Sequence, residues 1–246
     1  MARSQGEGGT ALVFGASGGI GRAFADALLQ KPEVTRVLGT SRDPARLAES
    51  VEPIALDVGD PLSISRAGDE IRQIAQELDL VLYCIGILHD DEHGLAPEKR
   101  VEDVDPAAVA HSFAVNALAP LLLARELAHL LPRRARCIWG NLSARVGSIG
   151  DNRMGGWYSY RASKAAQNMV TRNLAIELGR RHRGLACIAL HPGTVATPLS
   201  APFRSADAEG VVTPEEAVEN LLAVIDGLTA KDTGKFFAWD GSEIPW

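Results

Sequence analysis

Aromatic residues are only 5% of the 246-residue chain, and cysteine and methionine occur three times each. So few cysteines, and an odd number, exclude a disulfide framework. Cys84, Cys137 and Cys187 each sit inside apolar, strand-like runs. They are expected to be reduced, buried thiols of a cytoplasmic protein rather than nucleophiles. No stretch reaches the roughly 20 uninterrupted apolar residues of a membrane helix. The most apolar one, 117–124, is interrupted by Pro120 and followed by Arg125-Glu126, which predicts a buried helix and no membrane partner. The net charge of −6 has no basic block to offset it, which argues against a nucleic-acid partner. Arg133-Arg134-Ala135-Arg136 reads as a solvated helix-to-strand loop. No His, Cys and carboxylate cluster has the linear spacing of metal ligands, so no metal is expected. Internal repeats, low-complexity tracts and linkers are missing as well. Residues 1–9 are polar and Gly-rich rather than signal-like, and are expected to form a mobile leader.

What remains is ordinary globular composition, 46% apolar and 23% charged, in a length that suits one large α/β domain over 10–246. Short apolar runs alternate with longer helical patterns. Strands are predicted at 10–14, 36–40, 53–56, 78–83, 135–142, 185–191 and 235–238, and helices at 19–30, 61–77, 106–130, 158–181 and 214–228. The last helix opens on Thr213-Pro214-Glu215-Glu216, an N-cap Thr, Pro at the first helical position and Glu three residues after the cap. This alternation predicts a doubly wound α/β fold, a seven-stranded and mostly parallel sheet with helices on both faces.

Two patterns carry chemistry. Directly after the first strand comes Gly15-x-x-x-Gly19-x-Gly21, enclosing Ser17, Gly18 and Ile20. A turn that tight needs residues without Cβ, so that backbone can approach a pyrophosphate at a helix N-terminus. Alone, such a turn is equally consistent with a purely structural role. The second pattern is Tyr160-x-x-x-Lys164, which puts a phenol and an ammonium on one helix face. A free phenol has a pKa of about 10. A lysine one turn away favours its ionised form and makes Tyr160 a candidate general acid/base. Tyr158 lacks such a partner, since its i+4 residue is Ala162. Ser143 ends the apolar run 137–142 and should emerge at the carboxyl edge of a strand, positioned to hydrogen-bond a substrate oxygen; Ser148, in the same loop, is its rival. Cofactor choice is read at Gly39-Thr40-Ser41-Arg42, where no carboxylate precedes Asp43. Ser41 and Arg42 offer a hydroxyl and a guanidinium to a 2′-phosphate, which favours NADP over NAD. The bland reading of Arg42 is a surface residue partly neutralised by Asp43.

With these motifs in this order, the chain resembles the short-chain dehydrogenases/reductases along nearly all its length. Residues 86–89, 150–160 and 239–246 resemble the C-factor-like (cell–cell signalling) branch. The resemblance implies an NAD(P)-binding Rossmann domain acting on a carbonyl or alcohol of a small molecule. It implies that Asp57 meets adenine, assisted by the backbone of Val58. Cys84-Ile85-Gly86 stands where the family has Asn-Ala-Gly beside the ribose, and Phe14 stands where it has Thr. These two departures touch one corner and are expected to compensate each other. Asn116 would complete a tetrad with Ser143, Tyr160 and Lys164, its main-chain carbonyl holding a water, and Lys164 would also bind ribose. Pro192-Gly193 matches the family's motif, with the backbone of Val195 and the hydroxyl of Thr197 gripping the nicotinamide carboxamide. Substrate contacts would come from a short, polar loop at 199–212, with Phe203 its one aromatic, and from extra residues within 147–156. His191 and His89 are expected to be a packed strand-end residue and a loop residue. A homodimer or homotetramer through helices 106–130 and 158–181 is implied. Two functions stay open, an NADP-dependent carbonyl reductase or alcohol dehydrogenase and a nucleotide-binding signalling protein with little turnover.

Overall fold

The computed structural model describes residues 8–246. Most of the predicted leader lies outside the described residues, and Gly9 already belongs to the first strand. Seven strands form one sheet in the order β3 (Glu52–Ala55), β2 (Val34–Ser41), β1 (Gly9–Phe14), β4 (Leu80–Tyr83), β5 (Cys137–Leu142), β6 (Leu185–His191) and β9 (Phe236–Ala238). Every neighbouring pair in it is parallel, where the sequence had left room for an antiparallel member. A separate two-stranded ribbon pairs β7 (Thr194–Val195) with β8 (Val211–Val212).

Alternation along the strands sorts side chains to two cores. Leu12, Phe14, Val81, Tyr83, Cys137 and Trp139 face one, where α2 (Pro61–Ile74), α4 (Ala119–Leu127) and α5 (Tyr158–Leu178) supply Ile64, Leu123, Leu127 and Leu174. Ala11, Val13, Leu82, Ile138 and Ile188 face the other, covered by Phe24 and Leu28 of α1 (Gly19–Leu28) and Leu221 and Ile225 of α6 (Pro214–Gly227). Each large apolar side chain removed from water this way contributes about 1.5–3 kcal/mol. The α6 start follows its sequence, with Thr213 Oγ1 accepting from the Glu216 amide at 3.2 Å.

The helical stretch Pro106–Leu130 is α3 (Pro106–Phe113), a π turn at Ala114–Leu118 and then α4, closed by a 3-10 turn. Its length and apolar composition would suit a membrane span. Leu123, Ala124 and Leu127, however, are spent on the core beside Trp139.

All strands run the same way, so their carboxyl ends share one edge. The chain crosses from β3 on one side of β1 to β4 on the other. That reversal of winding opens a crevice where loops from β1 and β4 separate, the position at which such sheets bind ligands.

Candidate active site

Gly15 leaves β1 at φ +82°, and its amide donates to Thr40 Oγ1 at 3.1 Å. A Cβ on Gly21 would lie 2.2 Å from the Gly15 carbonyl oxygen, so glycine is required there for α1 to pack on the turn. A Cβ on Gly18, by contrast, would meet nothing within 4 Å. Gly18 is the N-cap of α1 and supplies no side-chain cap, and the first turn carries no acidic residue. The start of α1 thus has neither a side-chain cap nor a carboxylate of its own, which fits an anionic phosphate group. Ser17 and Ile20 of the turn are half-buried, and Thr197 packs on Gly19, its Cγ2 3.1 Å from where a Cβ would be.

From β4, Cys84 and Ile85 pack directly on the glycine turn. Phe14 and Cys84 do not compensate each other, contrary to expectation. The Cys84 amide donates to the Phe14 carbonyl at 3.1 Å, but strand alternation sends Phe14 to the core of Tyr83, while Cys84 packs with Leu82 on the opposite face. At β2, Ser41 is buried and accepts from the Asp43 amide at 3.1 Å, whereas Arg42 is exposed. One Asp43 carboxylate oxygen accepts from the Ala45 amide at 3.2 Å. Asp57 Oδ1 accepts from Gly59, and Val58 is half-buried against the core. Gly193 takes φ +82° under Trp239 next to Pro192, and Val195 is buried in β7.

Asn116 lies within the π turn, wholly buried. Its side chain clasps the β4 loop from both directions, donating to the Ile87 carbonyl at 2.9 Å and accepting from the Ile87 amide at 2.9 Å. Its Nδ2 also lies 3.0 Å from Ser163 Oγ, on the helix that carries Tyr160. Gly86, just before this clasp, is where a Cβ would sit 3.2 Å from Lys164 Nζ, so its hydrogen leaves room for the lysine.

Lys164 is 3% exposed and Tyr160 8%, with the ammonium 5.9 Å from the ring centroid. Lys164 Nζ donates to the Leu142 carbonyl at 3.0 Å and to Gln167 Oε1 at 2.9 Å. Ser143 follows Leu142 at the end of β5, as predicted, and its hydroxyl donates to Asn168 Oδ1 at 2.7 Å. Ser148 spends its hydroxyl on the Pro245 carbonyl and on the Asp151 amide. Ser148 thereby fastens the extra loop to the C-terminal residues, where Gly150 also donates to the Trp246 carbonyl at 3.0 Å.

Desolvation dominates the electrostatics of Tyr160 and Lys164. Burial pushes the phenol above its ordinary value and pulls the ammonium down to about 7. The same desolvation raises Cys84 and Cys187 and pushes Cys137 up to about 12, despite the adjacent Arg136, which disfavours the thiolate at all three. His191 falls to about 4, mainly by burial, as a packed strand-end residue should.

Sequence reading missed four side chains that support this site: Thr40, Gln167, Asn168 and Glu98. Glu98 is 5% exposed and reaches the start of α5 from a remote loop. Its carboxylate accepts from the Ser159 amide at 3.1 Å and from the Ser159 hydroxyl. Trp157, the N-cap, supplies no side-chain cap and sits at φ 52°. A carboxylate from elsewhere in the chain thus does the capping. Above Tyr160, rings form a row: Trp157 at 6.3 Å from Tyr160, Phe203 at 5.5 Å from Trp157, and His89 at 5.8 Å from Phe203. His89 Nε2 also meets the Pro198 carbonyl at 3.2 Å, joining the β4 loop to the 199–212 segment.

Comparison with known proteins agrees with this arrangement. Residues 9–208 match the short chain dehydrogenase family. The chain is 34% identical over 239 residues, 96% of its length and 99% of the relative's, to the 1-hydroxy-2-glutathionyl-2-methyl-3-butene dehydrogenase of Rhodococcus sp. (strain AD45). It is 37% identical over 144 residues, 58% of its length and 82% of the relative's, to the C-signal protein of Myxococcus xanthus. Among solved structures, the NADPH-bound carbonyl reductase from chicken fatty liver superposes with a TM-score of 0.85 at 29% identity, covering 98% of this chain and all of that one. The chain belongs to the short-chain dehydrogenase/reductase family, within its C-factor-like branch, and is an oxidoreductase.

Proposed function

We propose that this protein is an NADP-dependent reductase of carbonyl groups on small organic molecules, reversible as an alcohol dehydrogenase. The observation that carries the reading is Lys164, 5.9 Å from the Tyr160 ring, bonded to the Leu142 carbonyl next to Ser143 at the carboxyl end of β5, in a sheet whose first helix starts without a side-chain cap. The nucleotide would be held by the Gly15–Gly21 turn with Ser17, Gly18, Gly19 and Ile20, by Ser41 and Arg42 at a 2′-phosphate, by Asp57 and Val58 at the adenine, and by Cys84, Ile85 and Gly86. Pro192, Gly193, Val195 and Thr197 would hold its nicotinamide end, with Lys164 on the ribose. When bound, it supplies the hydride. Tyr160 gives its phenolic proton to the oxygen on which charge develops, so no free alkoxide has to form. Lys164, fixed by Leu142 and Gln167, stabilises the phenolate left behind. Ser143 accepts or donates at the same oxygen; to donate, its hydroxyl turns away from Asn168. Asn116 keeps the β4 loop and the Tyr160 helix in register. The family's NADPH-bound relative supports the choice of nucleotide.

A signalling role is the second reading, favoured by the likeness to the C-signal protein. The exposed apolar residues Leu118 and Leu121 of the α3–α4 stretch and Met169 and Ile176 of α5 support assembly as a homodimer or homotetramer through those helices. Three unpaired thiols suit a reducing, cytoplasmic compartment. The test is NADPH and NADH oxidation across ketones, aldehydes and quinones by wild type and Tyr160→Phe. Turnover with NADPH preferred, lost in Tyr160→Phe with nucleotide binding intact, is expected. Tight nucleotide binding without turnover on any carbonyl would favour the signalling reading.

A further inference from the structure

Beyond the cleft floor, the loop leaving β4 folds back through an antiparallel bridge between Asp90 and Leu95. There Asp90 and His93 meet His111, which projects from α3. One carboxylate oxygen, Asp90 Oδ2, lies 3.0 Å from His93 Nδ1 and 3.0 Å from His111 Nε2. The imidazoles are stacked, with 3.8 Å between ring centroids and 13° between planes. All three donor atoms lie within 4.8 Å of one another.

One carboxylate oxygen faces a ring nitrogen of each imidazole, so three potential ligand atoms gather in one place. A dication on these three atoms would replace both hydrogen bonds, each imidazole turning out of the stack so that its nitrogen lone pair meets the ion. Two imidazole nitrogens with a carboxylate oxygen form a donor set suited to a borderline cation of the zinc class. Donor atoms on a tetrahedral zinc, with bonds of about 2.0–2.1 Å, stand about 3.3 Å apart. The two 3.0 Å edges already have that size, and the third is the edge an ion would draw in. Side-chain exposures of 27% for Asp90, 20% for His111 and 47% for His93 leave one side open for a fourth ligand, such as water. Linear spacing gave no sign of this set, because its members come from a loop and a separate helix.

We propose that Asp90, His93 and His111 bind one divalent cation of the zinc class, with a fourth position open to solvent. The ion would tie the β4 loop to α3. Next to Asp90, His89 touches Pro198 and Phe203, so the clip stiffens one wall of the cleft. It touches none of Ser143, Tyr160 and Lys164.

The full-length protein, stripped with a chelator, would be titrated with Zn(II) by calorimetry and by competition against a chromophoric chelator. One saturable site per chain is expected, weakened by about tenfold or more in His93→Ala, His111→Ala and Asp90→Asn. Saturating Zn(II) should also raise the melting temperature of wild type but not of the histidine variants. NADPH fluorescence titration on each variant verifies that the fold is intact. The proposal is overturned if folded wild type shows no saturable site, or if the His93→Ala/His111→Ala double variant binds Zn(II) as tightly as wild type.

Discussion

Gln167→Leu separates the electrostatics of the site from its stability. Gln167 is wholly buried, its Oε1 accepts from Lys164 Nζ at 2.9 Å, and its Nε2 has no partner. Leucine nearly conserves the volume, so no cavity opens. Losing a hydrogen bond to a charged group costs about 1.5–3 kcal/mol, and removing a buried, unpartnered amide returns about 1–3 kcal/mol. Global stability should therefore change by about 1 kcal/mol or less, a melting shift of about 2–4 °C in a chain of this size. The proton affinity of Lys164 has no such offset. Its ammonium already titrates near 7 through burial, and only the Leu142 carbonyl would remain to stabilise it. The lost bond lowers proton affinity on the order of 10- to 100-fold. With nucleotide bound, both proteins titrate elsewhere, but their difference should persist. The assay is kcat/KM against pH for alcohol oxidation by the two proteins. The limb on which activity falls as the ammonium loses its proton should move down by about 1–2 pH units in Gln167→Leu, and Gln167→Glu should move it up. Superimposable profiles, from variants that bind NADPH normally, would refute the reasoning.

Glu98→Ala should lower the melting temperature by about 2–8 °C, from a lost cap of about 1–2 kcal/mol. It should reduce kcat more than NADPH affinity, and Glu98→Gln, which keeps one acceptor, should recover part of both; an unchanged melting curve would contradict the capping role. Arg42→Asp should lower the NADPH-to-NADH ratio of kcat/KM on the order of 10- to 100-fold, the worth of a charge-assisted bond, and an unchanged ratio would return Arg42 to an idle surface residue. Burial brings Lys164 to about 7 from its ordinary 10.5, so above 7 the unfolded chain holds a proton that the folded chain does not. Cofactor-free stability should thus rise from about pH 7 to about pH 8.5, by up to about 1.4 kcal/mol per pH unit. The raised cysteines and tyrosines reverse that trend only as their unfolded values are approached, at 9.0 and 10.0. Urea unfolding of Lys164→Met over the same window should show little of the rise, and an undiminished rise would assign it to other groups.

Strands and helices were legible because period-2 and helical patterns report which face is buried, and here both faces of the sheet are covered. The glycine turn and the Tyr160–Lys164 pair were visible as short spacings along the chain, and the place of Ser143 as the end of an apolar run. Gln167 and Asn168 lie one turn beyond Lys164, but nothing local marks them as partners of Lys164 and Ser143. Glu98 acts on Ser159 across 61 residues, and the meeting of His93 with His111 likewise exists only after folding. The fate of Phe14 and Cys84 was misjudged because adjacency along one edge hides the alternation that parts them.

The π turn around Asn116 holds one residue more than the α-helical turn it replaces. It behaves like a single-residue insertion absorbed within one turn. Removing any one of residues 114–118 would let the stretch close up as continuous α-helix, with Asp105 still capping one flank and Leu123 and Leu127 still packed at the other. The remaining residues of that turn would rotate by about 100° per position shifted, carrying the Asn116 amide off Ile87. One codon thus separates a helix that merely supports the sheet from one that also grips the cleft.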